Sequence, residues 1–187
     1  MNVTYRVWTA LSVCAALSAR PSLAQVPDSL QLTSDAAGRI RVGMSVAEVQ
    51  RILGRDRIQL FDRNREGHFD PALAMAIPGA AVSPAIVAPV REWPCPAEYS
   101  IQGLLILDPR FRTPQGVGVG STLGKLREHY AIRLSQEEGP HAWVEAIRTN
   151  FQLENGSGRD DVRVTGIWLP GPSPDVIRRD RCPTSRR

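Results

Sequence analysis

The sequence is poor in the residue types that carry chemistry. Of 187 residues only 3 are cysteine and 3 are histidine, and Lys125 is the single lysine. His68, His129 and His141 lack the close helical spacing of zinc ligands, and no nucleophile elbow accompanies them. We therefore expect no catalytic residues, no cofactor and no metal. Enzyme activity stays open, but these absences favour a non-enzyme.

Long apolar runs are also scarce, and the one that stands out lies at the N-terminus. Arg6 supplies a positive region, residues 7–19 an apolar run, and Ser22-Leu23-Ala24 a small-residue cleavage pattern. The run of about 13 residues is shorter than the roughly 20 that a bilayer-spanning helix needs. The sequence predicts a signal peptide over 1–24, no transmembrane segment after cleavage, and a bacterial protein that is periplasmic or secreted.

Charge of one sign is not concentrated in the body of the chain. The 23 basic and 19 acidic residues give a formal net charge of +4, and two of the basic residues, Arg6 and Arg20, lie in the predicted leader. A nucleic-acid-binding surface gathers basic residues on one face, whereas these are scattered among acids. We expect no nucleic-acid partner, and the Pro/Arg-rich tail 171–187 is typical of a solvated terminus.

Two cysteines, Cys95 and Cys182, remain after the leader. In an oxidising compartment such a pair favours a disulfide bond. The bond would close a loop of roughly 90 residues, worth about 4–5 kcal/mol in the chain-entropy model. The alternative, a free reactive thiol, needs a histidine partner that neither cysteine has nearby in the sequence.

What the sequence does contain is an internal repeat. Residues 40–53 and 117–130 align without gaps, and in each copy a glycine, Gly43 or Gly120, precedes a hydroxyl residue that begins a helical pattern. The pattern indicates two short helices, each with one apolar stripe for packing on a sheet.

The helix starts carry recognisable caps. Ser45 and Glu48 have the spacing of a capping box, in which the hydroxyl accepts a backbone N–H and the carboxylate returns a bond. Thr122 is the predicted N-cap of the second helix, where Lys125 replaces the acid and leaves half of the box.

Strand patterns follow each helix, and both copies end on the same signature. Residues 101–106 and 164–169 are apolar with glycine in the third position, while 131–136 and 141–153 show alternation. The run Asn155-Gly156-Ser157-Gly158 is typical of a hairpin turn. The sequence predicts an α+β fold, an antiparallel sheet with short helices on one face, built from a duplicated α-β-β-β module.

The predicted divisions are an N-terminal linker at 25–37, a first module at 38–112 and a second at 113–170. The first module departs from the plan at 71–96, which holds six prolines. Since each proline removes a ladder donor, we expect an irregular loop there with at most one short strand near 85–92. Loops of this length are often functional or disordered, and both alternatives stay open.

Two aromatic residues, Trp93 and Trp143, are candidates for a binding surface. Trp143 lies in an alternating strand on what we expect to be the solvent face, and Trp93 lies at the end of the proline-rich segment. Trp168 sits within an apolar strand and is expected in the core.

Two glycine-rich or acidic stretches resemble ligand loops without completing them. In residues 116–126 the required Walker glycine is replaced by Val119, which disfavours a phosphate loop. Residues 62–70 begin like a calcium loop, but the twelfth position is Leu73, so we expect a polar turn between strands.

Residues 43–54, Gly-Met-Ser-x-x-Glu-Val-x-x-x-Leu-Gly, resemble the helix-opening motif of small periplasmic proteins related to the lipoprotein BamE (SmpA/OmlA) of the outer-membrane assembly machine. With its second copy at 120–130 the chain is also similar to the β-lactamase inhibitor protein, which doubles such a helix-plus-sheet module. The resemblance implies a fold of this kind and a non-enzymatic protein that binds other proteins. The proline-rich segment 71–96 has no counterpart in either family.

Three functional hypotheses follow. The first is an exported protein-binding or envelope-associated module that uses its sheet face, with another envelope or secreted protein as partner. The second is a small-ligand-binding protein with a groove between the copies. The third is a periplasmic hydrolase in which His129 and His141 take part.

Overall fold

A computed structural model describes residues 27–65, 68–92, 99–137, 139–155 and 158–171. The predicted signal peptide, Trp93, both cysteines and all but the first residue of the C-terminal tail lie outside the described residues. The centre of the predicted hairpin turn, Gly156 and Ser157, lies outside them as well. These predictions stay predictions.

The described chain consists of short helices and strands. In chain order they are β1 (Ala36–Ala37), β2 (Ile40–Arg41), α1 (Val46–Leu53), β3 (Ile58–Arg65), β4 (His68–Met75), β5 (Ile86–Glu92), β6 (Tyr99–Ile101), β7 (Gly103–Ile106), α2 (Leu123–His129), β8 (Arg133–Ser135), β9 (His141–Val144), β10 (Thr149–Leu153) and β11 (Val164–Pro170). Neither described helix has the length and apolar character that crossing a membrane requires.

Nine of the strands form one antiparallel sheet, and β1 and β2 form a separate hairpin. The order of the sheet is β3-β4-β5-β7-β11-β10-β9-β8. The ninth strand, β6, pairs with the C-terminal part of β5, on the same edge as β7, which pairs with its N-terminal part. The prediction of an α+β fold built on an antiparallel sheet is confirmed.

The sheet is composed of two meanders that meet at its centre. One follows α1 and ends at β7, the other follows α2 and ends at β11, and these two last strands pair with Leu105 opposite Trp168. Each helix is thus followed by four strand positions, whereas three were predicted. In the second half the single strand expected over 141–153 is divided by a turn of 3-10 helix, Glu145–Ile147, and by Arg148, whose φ is 48°.

The prediction of an irregular segment over 71–96 is wrong for residues 71–75, which belong to β4, whereas the one short strand expected near 85–92 is present as β5. β6 and β7 pair with the same edge of β5 and are separated by Gln102, and Pro89 lies opposite this interruption. The Gln102 N–H donates to the Pro89 carbonyl over 2.9 Å. Pro71 lies just beyond Ala72, the last residue of β4 that pairs with β5. Proline is tolerated at such interruptions because no ladder hydrogen bond is lost there.

Each helix start is tied to a late strand of its own meander, β6 in the first and β11 in the second, by the same hydrogen bonds. Gly43 N–H donates to Ile101 O and Gly120 N–H to Val164 O, both over 2.8 Å. In the reverse direction Ile101 N–H donates to Met44 O, and Val164 N–H donates to the carbonyl of Ser121, both over 2.9 Å. The two glycines have φ of 87° and 81°, a conformation that favours glycine.

The helix caps have the predicted geometry. The Ser45 hydroxyl accepts the Glu48 N–H over 3.3 Å, and Ser45 N–H donates to the Glu48 carboxylate over 2.8 Å. The bond from the Ser45 backbone lowers the pKa of Glu48 below its ordinary value. Thr122 accepts the Lys125 N–H over 3.2 Å.

One face of the sheet carries the core. A row of directly paired residues crosses all the meander strands: Leu134, Ala142, Phe151, Ile167, Ile106, Ile86, Met75 and Ile58. Except at its two ends this row is fully buried, in one cluster with Val49 of α1 and with Leu123 and Leu126 of α2. Both helices therefore pack on this face, which we call the helix-covered face.

The N-terminal segment also belongs to the core. Leu32, Ala36 and Ala37 are at most 2% exposed, and β1 pairs with β2. The described part of the predicted linker 25–37 is therefore a packed element. Its apolar residues are too few and too small to show a strand period in the sequence.

An ion pair between a buried carboxylate, Asp108, and a partly exposed arginine, Arg110, holds the loop between β4 and β5. The Asp108 side chain is completely buried, and the Arg110 guanidinium donates to both of its carboxylate oxygens over 2.7–3.2 Å. Arg110 Nη1 also donates to the carbonyl of Pro78 over 2.9 Å. Burial alone would raise the pKa of Asp108, but the hydrogen bonds from Arg110 outweigh it and lower this pKa below its ordinary value.

Candidate functional site

The opposite face of the sheet is not covered by a described helix. Because side chains alternate along a strand, the residues next to the core row form a second row on this side. It consists of Arg133, Trp143, Asn150, Trp168, Leu105, Val87, Ala74 and Gln59, each paired with the next. None of these residues is buried, whereas the core row on the helix-covered face is buried except at its two ends. We call this side the helix-free face.

A cleft of about 730 Å³ lies in the helix-free face. It is lined by Arg63, Asp70, Pro71, Ala72, Pro89, Leu105, Gly139, Pro140, His141, Asn150, Gln152, Leu153, Thr165 and Trp168. One wall comes from β3 and β4, the other from β9 and β10, and the floor from the paired strands β7 and β11. The cleft therefore spans the junction between the two meanders, and its volume is within the range of about 300–1,000 Å³ typical of ligand pockets.

The floor is organised by two glycines, each covered by a side chain of the opposing strand. A Cβ at Gly103 would lie 2.6 Å from Cη2 of Trp168, and a Cβ at Gly166 would lie 3.3 Å from Cδ1 of Leu105. The indole of Trp168 thus packs against the backbone of β7. The prediction that Trp168 belongs to the core is wrong, because its neighbours Ile167 and Leu169 face the core and the alternation turns Trp168 to the other side.

Asn150 brings an unsatisfied acceptor to the cleft. It pairs directly with Trp168 on one side and Trp143 on the other. Its Oδ1 atom is buried and has no hydrogen-bond partner among the described residues. An unmet buried acceptor destabilises a protein by about 1–3 kcal/mol, and a ligand donor could satisfy this one if the Asn150 side chain turned its Oδ1 atom towards the cleft.

The walls add polar side chains of mixed character. Arg63 and Asp70 are direct partners across the β3–β4 pair, so one positive and one negative group lie side by side. On the other wall His141 pairs with Gln152, and the His141 Nδ1 atom lies 3.0 Å from the Gly139 carbonyl. The cleft offers donors and acceptors without an excess of either charge.

Trp143, predicted as part of a binding surface, lies on the helix-free face but outside the cleft lining. Its Nε1–H donates to the Glu145 carboxylate over 2.6 Å. Trp143 is thus a partly exposed aromatic residue beside the cleft, one strand beyond Asn150.

The residues of the hydrolase hypothesis are not brought together. His129 ends α2, which packs on the helix-covered face, whereas His141 lines the cleft on the helix-free face. The described part of the chain also contains no group of three or more His, Cys, Asp or Glu residues placed to hold a metal ion.

The two stretches that resemble ligand loops have structural roles where they are described. Asp62 and Asp70 lie in β3 and β4, opposite Pro71 and Arg63 respectively, so the described residues of this stretch belong to two paired antiparallel strands. Lys125 donates through Nζ to the Gly116 carbonyl over 3.0 Å. A Cβ at Gly118 would lie 2.4 Å from the carbonyl oxygen of Phe111, so this glycine permits a close approach of two backbone segments.

Comparison with known proteins gives a fold neighbour and no function. No protein-family model matches this chain, and neither does any curated protein. Among solved structures, the chain is similar to the uncharacterised protein YfeY from Escherichia coli, with a TM-score of 0.54 and 12% sequence identity, over 75% of this chain and 99% of YfeY. At this identity the similarity concerns the fold alone.

Proposed function

We propose that the chain is an exported, non-enzymatic binding module of the bacterial cell envelope, and that it binds its partner on the helix-free face. The observation that carries the proposal is the one-sided architecture. A sheet of nine strands has its core and both helices on one face, while the other face carries a cleft beside two partly exposed tryptophans, Trp143 and Trp168. Aromatic residues of this kind are enriched among the residues that dominate binding energy.

The proposed partner is another envelope or secreted protein. The second row extends across eight strand positions, and neighbouring strands lie about 4.8 Å apart, so the face is wide enough for an interface of standard size. The resemblance of residues 43–54 to the BamE-related proteins favours the same kind of partner.

We further propose that the sheet arose by duplication of one helix-and-meander unit. The matched hydrogen bonds at Gly43 and Gly120 support this. The pairing of β7 with β11 supports it too. The repeat aligns Leu104 with Ile167 and Ile106 with Leu169. In the sheet Leu104 pairs with Leu169, and Ile106 pairs with Ile167, so the two copies are related symmetrically across this junction. On this proposal the cleft formed where two copies of one unit met.

The test is capture of partners from envelope extracts by the tagged mature protein. We expect a specific set of proteins that Trp143→Ala and Trp168→Ala reduce. The matched controls are Arg51→Ala and Glu128→Ala, exposed positions on the two helices of the other face. A set that depends on Arg51 or Glu128 and not on the tryptophans would contradict the proposal, as would recovery of no protein above an empty-resin control.

A second candidate function is the binding of a small ligand in the cleft. The observation that favours it is the buried, unpartnered Oδ1 of Asn150 beside the Trp168 ring. A thermal-shift screen of neutral and charged small molecules tests this candidate. A library without any stabilising compound would count against it.

A further inference from the structure

We propose that the cleft binds a neutral carbohydrate, with a sugar ring stacked on Trp168 and a sugar hydroxyl donating to Asn150. The proposal rests on the second candidate function and names its ligand class. It does not depend on protein binding by the rest of the helix-free face.

The stacking surface is the indole of Trp168. One side of the ring packs against the backbone of β7, since a Cβ at Gly103 would lie 2.6 and 2.7 Å from two of its ring carbons. The ring is half-buried and lines the cleft, so a surface of fixed position is offered to a ligand. The face of an aromatic ring is electron-rich and attracts polarised C–H groups, of which a pyranose presents a whole side.

The donor that the cleft requires comes from the ligand. Asn150 lines the cleft, directly paired with Trp168, and its Oδ1 atom is buried without a partner in the described part of the chain. A turn of the Asn150 side chain towards the cleft would bring this acceptor to a ligand. A group that stacks on Trp168 and carries a hydroxyl at its edge would meet both features together. Sugars combine an apolar ring side with an edge of hydroxyl groups.

The charges of the walls favour a neutral ligand. Arg63 and Asp70 are cross-strand partners of opposite charge, and both line the cleft. An anionic ligand attracted by Arg63 would be repelled by Asp70 beside it. A cationic ligand attracted by Asp70 would be repelled by Arg63. Hydroxyl groups can accept from a guanidinium and donate to a carboxylate, so a sugar suits both.

The strand backbones beneath the cleft are already paired, which disfavours an extended peptide. β7 lies between β5 and β11, and β10 lies between β9 and β11. A peptide therefore cannot add as a strand at the floor, and its own amide groups would depend on a few side chains. A ligand recognised through ring stacking and side-chain hydrogen bonds agrees better with this geometry.

The experiment is an NMR titration of the full mature chain. The probes are glucose, N-acetylglucosamine and their β-linked disaccharides, with glucuronate, glucosamine, indole and a capped neutral tripeptide as comparison ligands. We expect saturable shifts of the Trp168 indole and the Asn150 side-chain amide with at least one neutral saccharide, and weaker or no binding of the comparison ligands.

Three variants separate the proposed contacts from general effects on folding. Trp168→Ala should weaken saccharide binding by at least about tenfold, the expected loss for a stacked aromatic surface. Asn150→Leu should also weaken it by about tenfold while leaving the thermal stability of the free protein unchanged or higher, because an unmet acceptor is removed. Arg51→Ala, at an exposed position of α1 on the helix-covered face, should change the affinity less than about twofold.

Each outcome decides the proposal. Shifts at Trp168 with indole, the tripeptide or the charged sugars, but not with neutral saccharides, would overturn the ligand class and keep the cleft as a small-molecule site. No binding by any probe would overturn the ligand class; the thermal-shift screen would still decide the second candidate, and protein binding on the helix-free face would be untouched. Saccharide binding that Trp168→Ala and Asn150→Leu do not change would overturn the assigned contacts.

Discussion

The indole of Trp168 lies against Gly103 at the junction of the two meanders, so close that a Cβ at Gly103 would approach two of its ring carbons within 2.7 Å. The same Cβ would lie 3.0 Å from the Leu169 carbonyl oxygen. The lack of a side chain at Gly103 therefore allows the Trp168 ring to lie where it does in the floor of the cleft.

Gly103→Ala should therefore displace the ring. We expect the free energy of unfolding to fall by about 1–3 kcal/mol, the usual effect of an added methyl group in a tightly packed site. Urea denaturation of the single variants and of the double variant Gly103→Ala with Trp168→Ala measures the coupling. When Trp168 is already Ala, Gly103→Ala should lower the free energy of unfolding by less, because only the close approach to the Leu169 carbonyl remains. An unchanged effect there would show that the ring does not rest on Gly103.

The helix caps should contribute measurably although the helices are short. Ser45→Ala and Thr122→Ala should each lower the free energy of unfolding by about 1 kcal/mol, because each removes the acceptor of a backbone N–H in the first turn. Chemical denaturation gives the values. An Ala substitution at exposed Arg51, in the same helix as the first cap, serves as the control and should change the stability by less than about 0.5 kcal/mol.

Arg110→Ala should be the most destabilising surface-accessible substitution of this set. It leaves the completely buried Asp108 carboxylate without its bidentate partner, and breaking a buried pair typically lowers stability by about 3 kcal/mol or more. The exposed pair Arg159 with Asp161 is the matched control, and Arg159→Ala should lower stability by less than about 1 kcal/mol. Equal effects of the two variants in urea denaturation would contradict the structural role of Arg110.

The same pair predicts a dependence of stability on pH. The pKa of Asp108 is lower in the folded protein than in the unfolded chain, so its contribution is fully present above the unfolded value of about 3.9 and is lost as the pH falls through the folded value. Unfolding measured between pH 7 and pH 2.5 should show this loss in the wild type. Asp108→Asn should flatten this part of the curve, and an unaltered acid limb would contradict the assignment.

The predicted Cys95–Cys182 disulfide can be tested directly. Alkylation of the exported, unfolded protein followed by mass spectrometry should find no free thiol unless a reductant is added first. Detection of two alkylated cysteines without reduction would show that the bond is absent.

Local sequence signals were sufficient for some elements. Ser45, Glu48 and Thr122 act through residues three positions away, so their pattern marks the helix starts without knowledge of the rest of the fold. Gly103 and Gly166, each the third residue of an apolar run, also mark the last strands of the two meanders, β7 and β11.

Other features depend on contacts between distant segments and have no local signature. Pro71 and Pro89 occur in strands because the ladder is interrupted beside them, at positions fixed by pairing with β5 and with Gln102. The side of Trp168 cannot be read from the sequence because β11 lies between two other strands and has apolar residues on both faces, which hides the strand period. The environment of Asn150 depends on the register of three strands.

The central claim is that ligands and partners bind on the helix-free face. A map of amide and indole chemical-shift changes across the chain, with a partner or saccharide bound at saturation, tests it most directly. We expect changes concentrated at Trp168, Asn150 and the cleft walls, with α1 and α2 unaffected. Changes concentrated on the exposed surfaces of α1 and α2, with the Trp168 and Asn150 signals unmoved, would contradict it.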